Sequence, residues 1–133
     1  MARGSERRGR LPSVAELEIL NDLWNFGPST VREVHERLSP HRPTGYTTVL
    51  KQMQVMAEKG LLVRNERFRS HLYEPATPKE EVQARLAGDL MKRAFQGSAK
   101  NLLLGALSAQ SASKQELAEI RHLLEQFEKG RKR

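Results

Sequence analysis

Hydrophobic residues recur at helical spacing along most of the chain, and the clearest stripe lies between residues 46 and 57. Its members are three or four positions apart: Tyr46, Val49, Leu50, Met53, Met56 and Ala57. This spacing predicts a helix with one apolar face. The opposite face is small and polar, with one acid, Glu58, among Thr47, Thr48, Lys51, Gln52, Gln54 and Lys59. Gly60 suits the left-handed position that ends such a helix.

Two short segments of alternating polarity follow this helix. They run over 62–67 and 71–74 and are joined by Phe68, Arg69 and Ser70. Alternation with a short polar connection predicts a β-hairpin, or wing. Its tip carries Arg67, Arg69 and His71.

Two helices are predicted upstream of the stripe. Ser13 and Glu16 have the spacing of a capping box, as do Thr30 and Glu33. The first helix turns a wide apolar face inward, formed by Leu17, Ile19, Leu20, Leu23, Trp24 and Phe26, and ends at Gly27-Pro28. The second is short, with Val31, Val34 and Leu38 inward. Helix, helix, turn, helix and hairpin in this order predict a winged helix-turn-helix domain.

Three further amphipathic helices are predicted after the hairpin. Thr77-Pro78, Ser98 and Ser113 supply their starts, with Thr77 as the N-cap of the first. These helices have too little mass to bury their apolar faces alone, so they either pair with a second copy or fold back onto the first domain. We expect pairing, through Leu86, Leu90, Leu103, Leu107, Leu117, Ile120, Leu124 and Phe127. The expected fold is therefore mostly α (α+β): a basic arm at 1–10, a winged-helix DNA-binding domain at 11–77 and a three-helix dimerisation domain at 78–133.

Charge is sorted along the chain. The net charge is +7, which favours an anionic partner because binding to nucleic acid releases counterions. Residues 42–73 hold six Lys or Arg against two Glu, a net of +4, whereas residues 14–38 hold two Arg against five acids, a net of −3. A basic central helix and hairpin are typical of a surface that meets DNA. Residues 1–10 hold four Arg and show no periodicity, which predicts a disordered basic arm; the alternative is that they are start-site residues without a role.

Composition excludes several other classes of protein. The sequence has no cysteine, which excludes disulfides and thiolate metal sites. No apolar segment reaches the roughly 18 residues that a membrane span needs, and no hydrophobic stretch follows the basic N-terminus as in a secretory signal. We therefore expect a cytoplasmic protein without membrane insertion.

The polar face of the central helix has two interpretations. It is either a solvated surface or a recognition face that lies in the major groove of DNA. Thr47 and Thr48 could contact thymine methyls or phosphates, while Lys51 and Gln52 could reach base edges. The basic hairpin that follows favours recognition.

Several sequence blocks resemble the penicillinase-repressor family (BlaI, MecI and CopY type). They are E-L-E-I-L-x-x-L-W, T-x-x-E-V, G-Y-T-T-V-L-K, E-K-G-L-L and R-S-H-L-Y-E-P, in this order. The resemblance runs from about Leu11 to the end and is strongest up to Pro75. It implies a homodimeric winged-helix repressor that binds palindromic double-stranded operator DNA and regulates β-lactamase or related resistance and stress genes.

The resemblance also implies functional residues. The family's base and phosphate contacts fall on Thr44, Gly45, Thr47, Thr48 and Gln52. The best-known repressors tend to have Lys at the position of Thr44 and Arg at that of Gln52, so we expect Lys51 to take over part of the phosphate contact. Tyr46, Arg67 and Arg69 complete the candidate DNA contacts.

In the antibiotic-responsive branch, a membrane-bound sensor protease system triggers cleavage of an Asn-Phe bond in the penultimate helix. The matching segment here is Leu104-Gly105-Ala106-Leu107, so Gly105 and Ala106 mark the candidate regulatory cleavage position. Gly105 would either ease local opening or allow close helix packing. A copper-sensing route is excluded because it needs a cysteine pair.

Other function classes fit the sequence less well. An enzyme would need converging catalytic groups, a metal set or a phosphate loop, and we expect neither catalysis nor a cofactor nor a metal. The four histidines, His35, His41, His71 and His122, lack ligand spacing and are expected on the surface. A protein-interaction module without DNA binding stays as the alternative, although exposed aromatics would suit it better than Thr, Lys and Arg. A ligand-sensing repressor would need a polar pocket that the sequence does not indicate.

Overall fold

The computed structural model of the protein describes residues 10–67 and 69–131. All but the last residue of the predicted basic arm lies outside this range. The described residues form, in order, α1 (Val14–Phe26), α2 (Val31–Leu38), α3 (Tyr46–Glu58), β1 (Leu62–Asn65), β2 (Leu72–Pro75), α4 (Lys79–Ala94), α5 (Ala99–Ala109) and α6 (Lys114–Arg131). The predicted fold class, a winged helix-turn-helix followed by helices, is confirmed.

The first two helices begin at the predicted capping boxes. Ser13 Oγ accepts a hydrogen bond from the Glu16 amide at 3.2 Å, and the Glu16 carboxylate accepts one from the Ser13 amide at 2.9 Å. Thr30 and Glu33 repeat this exchange at 3.1 and 2.9 Å. Each box satisfies two amides that a helix start would otherwise leave unpaired.

Gly60 ends α3 and directs the chain into the hairpin. Its φ is +86°, a region that glycine enters without steric cost. The Gly60 amide donates to the Ala57 carbonyl at 3.1 Å and the Leu61 amide to the Met56 carbonyl at 2.9 Å. This pair of bonds is the Schellman motif, and Leu62 follows it directly as the first residue of β1.

The hairpin is antiparallel, with Leu62 opposite Pro75 and Asn65 opposite Leu72. The predicted strands at 62–67 and 71–74 were too long at the tip. There the Asn65 side chain accepts the Arg67 amide at 2.9 Å, so the chain turns before the ladder can continue. Ser29 pairs with Tyr73 through two backbone hydrogen bonds of 3.1 and 2.8 Å. This bridge ties the hairpin to the segment between α1 and α2.

One core holds the winged helix together. Ile19, Leu23, Val34, Val49 and Met53 are almost completely buried. Around them pack the buried side chains of Leu20, Val31, Met56, Leu62 and Tyr73. Trp24 closes one edge, and its indole N–H donates to the Thr77 carbonyl at 3.3 Å.

Phe26 was predicted to face this core, and that prediction was wrong. Its side chain is 64% exposed, and the Arg37 guanidinium carbon lies 4.6 Å from the ring centre. Phe26 is the last residue of α1, where the apolar stripe has already passed the core. A cation over the ring takes the place of burial.

The chain divides into two compact units, Met1–Ala87 and Gly88–Arg133, and the division falls inside α4. The first turn of α4 closes on the Pro78 carbonyl, which accepts the amides of Glu81 and Val82. The helix therefore starts one residue later than the predicted Thr77 cap, whose carbonyl is engaged by Trp24.

The unit that starts at Gly88 contains the last seven residues of α4 and all of α5 and α6. Ser98 and Ser113 cap the last two helices as predicted, accepting the amides of Asn101 and Glu116 at 3.0 Å each. Within one chain, every side chain of α5 and α6 keeps some exposure to solvent. None of the helices in the described ranges is long and apolar enough to cross a membrane.

Candidate nucleic-acid interface

The start of α3 presents free backbone amides. Gly45 is its N-cap, in an extended conformation, and offers no side-chain hydrogen bond to the helix; the first turn carries no acid among the described residues. The amides of the first helical positions therefore point outward without a capping acceptor. Together with the positive end of the helix dipole, they favour an anionic group at this position.

The turn before α3 is held by His35, which was predicted to lie on the surface. His35 is instead half-buried, and its Nε2 lies 2.8 Å from the Thr44 carbonyl, to which the ring N–H donates. The Tyr46 ring meets the imidazole edge-on, with centroids 6.0 Å apart. His35 thus fixes the residues on both sides of Gly45, while His41, His71 and His122 are exposed as predicted.

Three predicted contact residues lie together on the outer face of α3. Thr47, Thr48 and Lys51 are exposed, and Val49 and Met53 on the other side are buried. Gly45 and Tyr46 are exposed beside them, and Tyr46, predicted in the apolar stripe, is 43% exposed. Thr44 is half-buried. The structure therefore brings most of the predicted set to one end of one helix.

Gln52 differs from its neighbours. It is half-buried, and it lines a 210 Å³ cavity with Ser13, Glu16 and Val55, on the side of α3 that faces the start of α1. Its Oε1 is shielded from solvent and lacks a hydrogen-bond partner among the described residues. A base contact by Gln52 therefore requires a rotamer other than the one observed.

The predicted hairpin contacts lie at its tip. Arg67 and Arg69 are exposed on either side of Phe68, which lies outside the described residues. The backbone of Arg67 is held by the hydrogen bond from its amide to the Asn65 side chain.

A second basic feature, which the sequence did not indicate, lies between α3 and the hairpin. There a groove of about 350 Å³ is lined by two arginines, Arg32 from α2 and Arg64 from β1. Tyr46, Leu50 and Gln54, successive residues at four-residue spacing on α3, form one of its walls. Arg32 and Arg64 are 32 positions apart, and only the fold brings them to one groove.

Two ion pairs fix α3 and α2 against α1. Lys59, at the C-terminal end of α3, lies 3.2 Å from the Glu16 carboxylate. Partial burial raises the pKa of Glu16, but hydrogen bonds from the Ser13 backbone and from Lys59, together with the Lys59 charge, outweigh it and hold the pKa below its ordinary value.

The second pair lies between α1 and α2. Arg37 makes a two-pronged contact with Asp22, with bonds of 3.0 and 2.8 Å, and donates to Ser29 Oγ at 2.7 Å. Hydrogen bonding to the buried Asp22 raises the pKa of Arg37, so the guanidinium stays charged. Because Ser29 pairs with Tyr73, this network connects the helices to the hairpin.

The unit from Gly88 onward presents apolar side chains to solvent. Leu90, Leu107, Leu124 and Phe127 are 48%, 36%, 51% and 68% exposed, and Leu104 and Leu123 are exposed as well. The other predicted dimer residues, Leu86, Leu103, Leu117 and Ile120, are half-buried within one chain. Apolar side chains in this number on one small unit are typical of an interaction surface.

Gly105, at the candidate cleavage position, packs against an aromatic ring. A Cβ placed on Gly105 would lie 3.3 Å from Cε1 of Phe95, closer than ordinary van der Waals contact. The close approach of α5 to the end of α4 accounts for a glycine here. Ala106, beside it, is exposed.

Comparison with known proteins decides the family. A sequence model of the penicillinase repressor family matches residues 12–126. The chain belongs to this family. The transcriptional regulator BlaI of Mycobacterium tuberculosis is 34% identical over 98 residues, which cover 71% of each chain. The penicillinase repressor of Bacillus licheniformis is 23% identical over 125 residues, covering 92% of this chain and 98% of that protein. The resemblance to the penicillinase repressor family is therefore confirmed; the family is one of transcriptional repressors, not of enzymes.

Proposed function

We propose that this member of the penicillinase repressor family is a sequence-specific repressor that binds double-stranded operator DNA with α3 and the hairpin. One observation carries the proposal: the exposed end of α3 combines uncapped amides with Thr47, Thr48 and Lys51 on one face. Amides and Lys51 suit phosphates, and threonine side chains suit base edges and thymine methyls. Arg67 and Arg69 extend the surface to the neighbouring backbone.

The packing behind this face supports the same function. His35 holds Thr44 and Tyr46, and the Lys59–Glu16 pair holds the other end of α3. A recognition element has to be rigid, because a mobile helix would lose binding free energy to ordering. We infer that the protein acts in the cytoplasm, where it meets DNA, and that its targets are β-lactamase or related resistance and stress genes.

We further propose that the protein binds as a homodimer through the unit that follows Ala87. The support is the exposure of Leu90, Leu107, Leu124 and Phe127 in a single chain. A second copy would cover these side chains, and two-fold symmetry would match a palindromic operator. Two reading heads held about one helical turn apart would bind far more tightly than one.

Control of the repressor through a membrane-bound sensor protease system is the remaining part of the proposal. Cleavage between Gly105 and Ala106 would remove all of α6 from the DNA-binding unit. The packing of Gly105 against Phe95 explains the glycine without a protease, so cleavage is tested separately, by sequencing the fragments formed in induced cells.

A gel shift with the DNA upstream of the protein's own gene tests the main proposal. The full chain should retard this duplex in the presence of excess scrambled DNA, and Thr47→Ala/Thr48→Ala should lose that preference. Equal retardation of both duplexes, or of neither, would contradict sequence-specific repression. Retardation of neither would favour the alternative, a winged helix that binds another protein.

A further inference from the structure

Two arginines near the proposed DNA-binding face have no role in the function proposed above. Arg32 lies in the first turn of α2, and Arg64 lies in β1. Both line the groove of about 350 Å³ between α2, α3 and the hairpin. Thr30, Gln54, Ser70 and His71 add polar groups to its walls, and among the described lining residues none is acidic.

This set of side chains suits a phosphate. The arginine guanidinium presents its N–H groups in a planar fork that matches two phosphate oxygens. The Ser70 hydroxyl and the His71 ring are further donors of the kind that bind phosphate oxygens in protein–DNA complexes, whereas the Thr30 hydroxyl is engaged by Glu33 in the capping box. A groove with two guanidinium groups selects an anion, and its polar walls favour an oxyanion over an apolar ligand.

The groove lies beside the recognition face. Tyr46, Leu50 and Gln54 form the strip of α3 that lines it, and Thr47 is the next exposed residue around the helix. An α-helix with its side chains is about 10–12 Å across, and the major groove is about 12 Å wide. A helix that lies in the major groove therefore carries its two flanks to the two phosphate backbones.

We propose that this groove holds a backbone phosphate of the bound DNA, with Arg32 and Arg64 as its cationic contacts. The inference rests on the proposed function, because it takes α3 as the element in the major groove. It adds one phosphate contact to those at the start of α3 and at the hairpin tip. The contact lies on the hairpin side of α3.

Arg64 already forms an ion pair with Glu66. Its Nη2 lies 2.5 Å from the Glu66 carboxylate, in a pair whose side chains are 38% and 56% exposed. Exposed pairs contribute little to stability, so a phosphate can replace Glu66 at small cost. Glu66 then acts as a competitor for the phosphate, and its removal should change DNA affinity in the direction opposite to that of the arginines.

The test measures binding of the full chain to a fluorescent 30-base-pair duplex of random sequence over a range of salt concentrations. A plot of log K against log salt concentration falls with a slope that grows steeper with each phosphate contact. Arg32→Gln and Arg64→Gln should each make this slope shallower by about one. At 0.1 M salt each should weaken binding about tenfold. Glu66→Gln should strengthen it. The matched control is Lys92→Gln, which removes one positive charge from an exposed position of α4. It should leave the slope unchanged.

The DNA-binding measurements separate failure of the proposed function from failure of the phosphate groove. If the wild-type chain binds neither random DNA nor its own upstream region, the proposed function fails. If it binds both, and Arg32→Gln and Arg64→Gln behave like Lys92→Gln, only the phosphate groove fails.

The groove could bind free inorganic phosphate instead of a DNA backbone phosphate. An NMR titration distinguishes these two ligands. Inorganic phosphate is added at constant ionic strength while the arginine Nε signals are recorded. Large, saturable shifts of Arg32 and Arg64, combined with unchanged DNA slopes in their variants, would identify a small-anion site and overturn the DNA assignment.

Discussion

The His35 side chain and the Thr44 carbonyl, nine residues apart, form a 2.8 Å hydrogen bond that links α2 to the turn before α3. The same imidazole packs edge-on against Tyr46. One side chain therefore sets the position of the first turn of the proposed recognition helix without itself lying on the exposed face.

His35→Ala should weaken operator binding more than it weakens the fold. Loss of this hydrogen bond costs about 0.5–1.5 kcal/mol, and the freed turn must be ordered again on DNA. His35→Gln, whose amide can donate to the same carbonyl, should restore part of the affinity. Fluorescence anisotropy measures the operator affinity of each variant, and thermal melting measures its stability. Equal affinities for His35→Ala and the wild type would remove the positioning role.

Asp22→Ala should destabilise the winged helix by about 2–3 kcal/mol, because it leaves the Arg37 guanidinium without its buried partner. Trp24, the only tryptophan in the sequence, reports the urea transition of this unit. Glu66→Ala, which breaks the exposed Arg64–Glu66 pair in the same unit, is the control and should cost less than about 1 kcal/mol. Similar losses for both variants would show that the Asp22–Arg37 network contributes no more than a surface pair.

The Glu16–Lys59 pair predicts a pH dependence. The folded pKa of Glu16 is lowered from its ordinary value of 4.5, so its ionised form stabilises the folded state. That contribution is complete above the unfolded pKa and is lost as the pH falls through the folded value. The stability difference between the wild type and Glu16→Gln should therefore be constant from pH 6 to 8 and shrink below about 4.5. A difference that grew on acidification would contradict the assignment.

Gln96 is in the left-handed region, with φ of +52°, at the turn between α4 and α5. A non-glycine residue there costs roughly 1 kcal/mol, so Gln96→Gly should raise stability by up to about that amount. Gln126→Gly, the same change inside α6, should lower it by about 1 kcal/mol. Thermal melts of the two variants should shift in opposite directions. Shifts in the same direction would mean that the turn is not strained.

Leu124→Asp should convert a dimer to a monomer. Leu124 is 51% exposed in one chain, and an unpaired carboxylate in a dimer seam is costly. Gln126→Asp places the same charge two residues further along α6 and should leave the dimer intact. Sedimentation velocity separates the two outcomes. A dimer that survives Leu124→Asp would show that this surface has another partner.

Local signals in the sequence were sufficient for most of the fold. The capping boxes at Ser13 and Thr30 lie within one helical turn, and Gly60 ends α3 through its own backbone freedom. Such features depend on neighbours in the chain, so a pattern predicts them well. The family was recognised for the same reason, since its motifs are contiguous blocks.

The features that depend on packing were missed. Arg37 contacts Asp22 only because α2 packs against α1, and Arg32 and Arg64 line one groove only because the hairpin folds beside α2. Gln52 has the same spacing pattern as an exposed residue, but the start of α1 covers it. Helical periodicity assigns a residue to a face; the neighbouring elements decide whether that face is open.

The most direct test of the proposed recognition surface is the ratio of affinities for the upstream operator duplex and a scrambled duplex. Thr48→Ala should lower this ratio, a loss of about 1–3 kcal/mol of discrimination, with little change for scrambled DNA. Arg69→Ala should weaken both duplexes alike and reduce the salt slope by about one. An unchanged ratio in Thr48→Ala, with equal losses on both duplexes, would contradict base reading by the exposed face of α3.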